Sequence, residues 1–338
     1  MSAKYINNSA NYLPGLDVTK FLMAVLLIAA HTGSLKGTIA GELVEPLIGL
    51  AVPMFFALSA YLFFRKVFSE PDGSQQRHFL FITIKRLAIL FCCWYVLMLP
   101  MIILKGTFIG SIPEAVYVIF LNSAMWGYWF IKALIINTIL YYIFRRKGAL
   151  FLYTVLSFIV YFYCAYNQIF HYNGFLEQLQ PYYSFYYHMA YFSVGVWYAR
   201  YSSKVESLSK LCALILIAIW LFLYGVSLVF SFEWLHPFFR ILSFALLFPA
   251  ISKVGGGDYG LCKTLRSMSI ILYMVQFLLI WLYDMACQAW LIPGTTMFDV
   301  MQHCVMRFVV VLLTACAIAS LIVTLERRPA FRFLRYLH

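Results

Sequence analysis

Residues 16–34 read LDVTKFLMAVLLIAAHTGS, and the fold follows from what this stretch can do in a bilayer. It is apolar over most of its length, with Asp17 and Lys20 near one end and His31 near the other. A helix rises about 1.5 Å per residue, so a stretch of this length crosses a hydrocarbon core about 30 Å thick. Nine similar apolar stretches follow at 43–64, 80–104, 126–144, 148–165, 182–200, 209–230, 236–252, 268–290 and 299–325. Hydrophobic residues make up 64% of the 338 positions and charged ones 11%, with a mean hydropathy of +0.84. That usage is far from a soluble globular domain. The reading is an all-α, polytopic integral membrane protein with about ten transmembrane helices in one bundle.

Charge orients the bundle. If the termini face the cytoplasm, twenty of the 25 Lys and Arg residues fall in inner positions, and only Lys36 and Lys105 lie in outer loops. The remaining three, Lys132, Arg240 and Arg307, sit inside apolar stretches. The reverse orientation breaks the positive-inside rule at every inner loop, so both termini are expected to be cytoplasmic. The net charge of +12 is then a matter of topology and of contact with anionic lipid, not of nucleic acid. Residues 1–12 are polar and lack the pattern of a cleavable signal, so the first span is expected to double as the insertion signal. Eight cysteines lie almost wholly within the spans without metal-type spacing and read as packing residues, and no metal site is expected. Without an internal repeat or a long linker, residues 1–338 form a single membrane domain. Residues 105–125 can form a short surface helix, and 166–181 a polar outer loop.

Ionisable groups within a bilayer are costly and usually face a cavity or one another, so they point to sites. Lys20 and His31 are eleven residues apart. Eleven steps of about 100° return to nearly the same face, about 16 Å further along the axis. Lys20 can hold an anion at the inner mouth, and His31 can take a proton near neutral pH at the outer one. The same two residues can also snorkel to the headgroups on either side. His236 and Arg240 are four apart, as are His303 and Arg307, so each pair shares a helix face, and Asp284 is available as a counter-ion. These groups suit either an acceptor pocket or an ion-pair network bracing the bundle. His188, in an aromatic run, reads as an interfacial polar residue.

Five phrases together resemble the acyltransferase 3 family of membrane-bound O-acyltransferases. They are Asp17, Lys20 and His31 in the first span, Phe55-Phe56-Ala57-Leu58-Ser59-Ala60-Tyr61 in the second, and Lys85-Arg86-Leu87 running into Trp94 in the third. Trp126-Gly127-Tyr128-Trp129-Phe130 opens the fourth, and Ser269-Ile270-Ile271-Leu272-Tyr273 lies in the ninth. The chain departs from the family pattern at Lys20 (usually Arg), Ala60 (usually Gly), Ile89 (often a second Arg) and Gln276 (often His). Lys20 keeps the charge but not the bidentate fork that grips a phosphate.

The resemblance implies transfer of an acyl group, acetyl by default, from cytoplasmic acyl-CoA to a hydroxyl of a glycan outside the cytoplasmic (inner) membrane or on a lipid carrier. It assigns the general base to His31 and the donor phosphates to Lys20, Arg65, Lys85 and Arg86, with Ser59 beside them. Trp126 and Trp129 would stack on a sugar, and Lys132, Arg240, Arg307 and Asp284 would offer polar contacts to the acceptor. A secondary transporter or polysaccharide exporter is the competing reading, weakened by the missing repeat. A sensor or scaffold with a degenerate donor site is a third.

Overall fold

A helix pairs every backbone donor and acceptor within itself, which is what hydrocarbon demands of a single segment. The computed structural model describes residues 13–33, 39–104, 111, 129–170, 183–229, 235–251, 253, 259–288 and 297–338, and among them there is helix and no strand. The helices are α1 (Pro14–Thr32), α2 (Ile39–Ile48), α3 (Ala51–Ser69), α4 (Gly73–Leu104), α5 (Trp129–Ile143) and α6 (Lys147–Phe170). They continue as α7 (Met189–Arg200), α8 (Ser202–Glu206), α9 (Lys210–Val229), α10 (His236–Ile251), α11 (Tyr259–Gln288) and α12 (Met297–Leu325). A 3₁₀ segment, Pro329–Leu337, closes the described chain.

Every apolar stretch of the sequence yields a helix, but not every helix is a full crossing. Seven among the described residues are long and apolar enough to span: α1, the run Gly41–Ser69, α4, α6, and most of α9, α11 and α12. The stretches 126–144, 182–200 and 236–252 give only α5, α7 and α10, of 15, 12 and 16 residues. Hydropathy overstates α7 because residues 183–188 are apolar and aromatic yet form a turn. It understates others. α4 starts at Gly73, where the Asp72 carboxylate accepts from the Ser74 N–H at 2.8 Å, and α11 starts at Tyr259. Polar turns outside the hydrocarbon are helical without being apolar, so a hydropathy scan misses them. Asn167, expected in an outer loop, lies buried within α6. The proposed surface helix in 105–125 and residues 171–181 of the outer loop lie outside the described residues, as do residues 1–12, Lys36 and Lys105.

α3 is the axis of the bundle, buried along nearly its whole length from Ala51 to Val67. It packs on α7 at very short range. A Cβ built at Gly195 would lie 2.1 Å from the Ala57 carbonyl oxygen and 2.9 Å from the Ala60 Cβ. Only glycine fits there, and small residues on both sides let the two backbones approach, as is usual between membrane helices. On the other flank α1 packs along α11, and α11 along α12. α9 and α10 pair at the periphery, where Leu211, Leu214, Ile219 and Phe222 of α9 are exposed as lipid-facing residues should be.

α1 is ended by Gly33, whose φ of 65° is left-handed and whose N–H reaches back to the Ala30 carbonyl. This stop sets His31 in the last turn of the helix. At the other end of the bundle lie the start of α1, Arg266 near the start of α11, the end of α12 and the 3₁₀ segment, joined by contacts described below.

Candidate functional site

Both ends of α1 face the bundle, and at both ends α11 is the partner. At the foot, Asp17 is buried, 3% exposed, and its Oδ2 lies 3.8 Å from Arg266 Nη1. Lys20, one turn on and half-buried, feels three charges: Asp17, Arg266 and Arg86. Arg266 is also within electrostatic range of Arg86. Three cations from α1, α4 and α11 thus share a neighbourhood in which Asp17 is the carboxylate. Arg266, read from sequence as an ordinary inner-loop cation, is the member that sequence reasoning missed. No local signal marks it, because only the packing of α11 on α1 carries it to Lys20.

At the tip, His31 Nδ1 lies 3.3 Å from Gln276 Oε1, and its ring meets Phe277 with centroids 4.6 Å apart. Gln276 is fully buried and donates Nε2 to the Tyr273 carbonyl at 2.9 Å. A carbonyl only accepts, so the amide cannot turn round without setting two oxygens against each other. Oε1 therefore faces the imidazole, Nδ1 carries the proton, and Nε2 keeps its lone pair. Gln276, a departure from the family pattern when read as sequence, is a side-chain partner of the His31 ring, which the Leu27 backbone also meets. His31 itself is exposed, as contact with an outside molecule requires. Arg307 of α12 completes the tip. Its Nη1 pairs with Asp284 at 3.1 Å, and its Nη2 donates to the His31 carbonyl at 3.2 Å, satisfying an open carbonyl at the C-terminal end of α1 with a cation.

Three of the quoted phrases meet between these ends. Phe55 of α3, Phe130 of α5 and Tyr273 of α11 are mutually in contact, with ring centroids 5.4 to 6.0 Å apart. Beside them the His188 ring meets both Phe56 (4.7 Å, 8°) and Trp129 (5.0 Å, 27°), which also meet each other at 6.3 Å. His188 is fully buried, so it is not the interfacial residue that its aromatic surroundings suggest. Trp129 is 5% exposed, with Phe56, His188 and Tyr183 around its ring, which leaves little of it for a sugar. Trp126 lies outside the described residues.

The other residues singled out by sequence are dispersed. Arg65 is bound to Glu206 of α8 at 2.7 Å, and Tyr61 donates to the same carboxylate at 3.2 Å, so Arg65 ties α3 to α8. Lys253 reaches the Glu206 carbonyl. Lys85 is exposed on α4, Ser59 half-buried on α3 and Lys132 half-buried on α5. Arg240 keeps company with Gly49 and the Tyr187 hydroxyl. The His303 side chain lies outside what is described.

The fold and these two ends define a class: a multi-pass helical membrane protein whose first helix carries a cation at one end and an oriented imidazole at the other. Residues 13–324, nearly the whole chain, match the family model described as an acyltransferase domain, Acyl_transf_3. The chain belongs to that family and is a membrane acyltransferase. No curated protein and no solved structure matches it.

Proposed function

We propose that the chain moves an acyl group, acetyl by default, from acyl-CoA at the Lys20 end of α1 to a hydroxyl at the His31 end. The acceptor would be an extracytoplasmic or lipid-linked glycan, and the setting the cytoplasmic membrane, with both termini inside as the distribution of Lys and Arg requires. One observation carries the reading: a single helix presents Lys20 beside Arg86 and Arg266 at one end and His31, held by Gln276, at the other.

Coenzyme A carries several phosphate charges, and a cluster of cations with few carboxylates is what binds them. At the tip the chemistry is proton transfer. A hydroxyl attacks a thioester carbonyl poorly unless its proton leaves as the new bond forms. His31 Nε2, with its lone pair directed away from Gln276, takes that proton. The C–O bond forms, the tetrahedral oxyanion collapses, the C–S bond breaks, and the imidazolium returns the proton to the thiolate. The same Nε2 would carry the acyl group in a two-step transfer, and trapping of an acyl-enzyme separates the two routes.

The test is calorimetric titration of the purified protein with acetyl-CoA, followed by transfer to a glycan acceptor. Saturable binding with turnover supports the reading. Absence of acyl-CoA binding, together with glycan movement across proteoliposomes, would replace it with the exporter.

A further inference from the structure

A cavity lies at the cytoplasm-facing end assigned to α1 above, beside the end of α12. It lies under the 3₁₀ segment, has a volume of about 410 Å³, and is lined by Arg86, Glu326, Arg335, Tyr336 and His338. That size is within the range of small-molecule sites, about 300–1,000 Å³. α4 holds its roof by two donors, Arg86 Nη2 to the His338 carbonyl at 3.0 Å and Trp94 Nε1 to the Leu337 carbonyl at 3.0 Å. The Glu326 side chain is turned to the His338 imidazole at 2.5 Å. Two guanidiniums and a phenol ring stand beside them. Arg86 has one terminal nitrogen engaged in the roof, and Arg335 uses only Nε, on the Arg332 carbonyl. Tyr336 is 51% exposed.

We propose that this cavity receives the 3′-phosphorylated adenosine diphosphate end of the acyl donor. Its phosphates lie on Arg86 and Arg335, and its purine lies against Tyr336. The inference rests on the acyl-CoA reading above and extends it, because Arg86 belongs both to this cavity and to the cations around Lys20. The donor's charged end would thus run from the foot of α1 outward beneath the 3₁₀ segment. Planar guanidiniums grip phosphate in pairs of hydrogen bonds and purines stack on tyrosine, a combination that suits a nucleotide better than a lipid headgroup.

The test is binding of two probes, coenzyme A and 3′,5′-ADP, to the purified full chain and to Arg335→Gln, Arg335→Lys and Arg332→Gln. Arg335 is exposed, so its replacement leaves folding intact, as an unchanged elution profile and Tm will show. Both probes should bind the unaltered chain. Arg335→Gln should weaken both about tenfold, near the 1.4 kcal/mol expected when a charged contact is lost. Arg335→Lys should restore part of the affinity, and Arg332→Gln, which keeps its backbone carbonyl, should change neither probe. Coenzyme A binding that Arg335→Gln leaves untouched overturns the cavity assignment and leaves the acyl-CoA reading standing. Coenzyme A binding without 3′,5′-ADP binding also overturns the cavity assignment. Failure of the unaltered chain to bind either probe overturns both. If phosphatidylglycerol in nanodiscs raises the Tm of the unaltered chain above that of Arg335→Gln while 3′,5′-ADP does nothing, the cavity takes a lipid headgroup and the nucleotide assignment falls.

Discussion

The two ends of α1 are built on opposite principles. At the foot, Lys20, Arg86 and Arg266 gather around Asp17, and like charges face each other. At the tip the polar groups are matched, His31 with Gln276 and Arg307 with Asp284. Crowded cations oppose one another until an anion arrives, so the foot has the character of a binding site. An imidazole with one ring nitrogen held by an amide oxygen is what the proposed base needs, and the tip suits that role. The contrast also separates both from the rest of the cations. Arg65 with Glu206, Arg145 with Gln76 and the Tyr142 ring, and Arg200 over Phe68 brace neighbouring helices.

Breaking the tip should have the largest effect. His31→Ala removes the proposed base, and on that reading acyl transfer should fall by about 10²–10⁴-fold while acyl-CoA affinity stays within about twofold. If donor binding falls with it, the two ends are not separate in role. At the foot, Lys20→Glu should weaken acyl-CoA binding by about 10- to 100-fold in calorimetry, and Lys20→Arg should match or improve on the natural residue. Equal affinity in all three would remove Lys20 from the donor site. Gln276→Leu keeps the volume but no longer accepts from Nδ1, and should lower kcat about tenfold with acyl-CoA Kd unchanged. A loss of donor affinity instead would mark Gln276 as a packing residue. The smallest effect should come from Asp284→Asn. Its pair with Arg307 is partly solvated, 37% and 21% exposed, so the change should be worth about 0–1 kcal/mol and move Tm by a few degrees at most.

Part of this arrangement is legible in the chain alone. The eleven-residue interval between Lys20 and His31 fixes their shared face, because helix geometry is set by the peptide unit. The all-helical membrane fold is legible for the same kind of reason. What cannot be read is which helix lies opposite. Arg266 reaches Lys20, and Gln276 reaches His31 from 245 positions away, only because α11 packs on α1. The ion pair of Arg65 with Glu206 is likewise a matter of packing that the sequence does not carry. Span length was the weaker part of the hydropathy reading. The turn at 183–188 is apolar without being helical, and the first turns of α11 are helical without being apolar.

The left-handed Gly33 has a further consequence. By ending α1 two residues beyond the imidazole, it makes the rise between Lys20 and His31 a ruler with about 16 Å between its marks. A donor is then measured by its arm. On the acyl-CoA reading proposed above, the stretch between the donor's anionic anchor and its thioester would have to match that length, whatever acyl group hangs beyond. A residue inserted anywhere between the two marks would lengthen the ruler by about 1.5 Å and swing the ring through about 100°, away from α11 and out toward lipid.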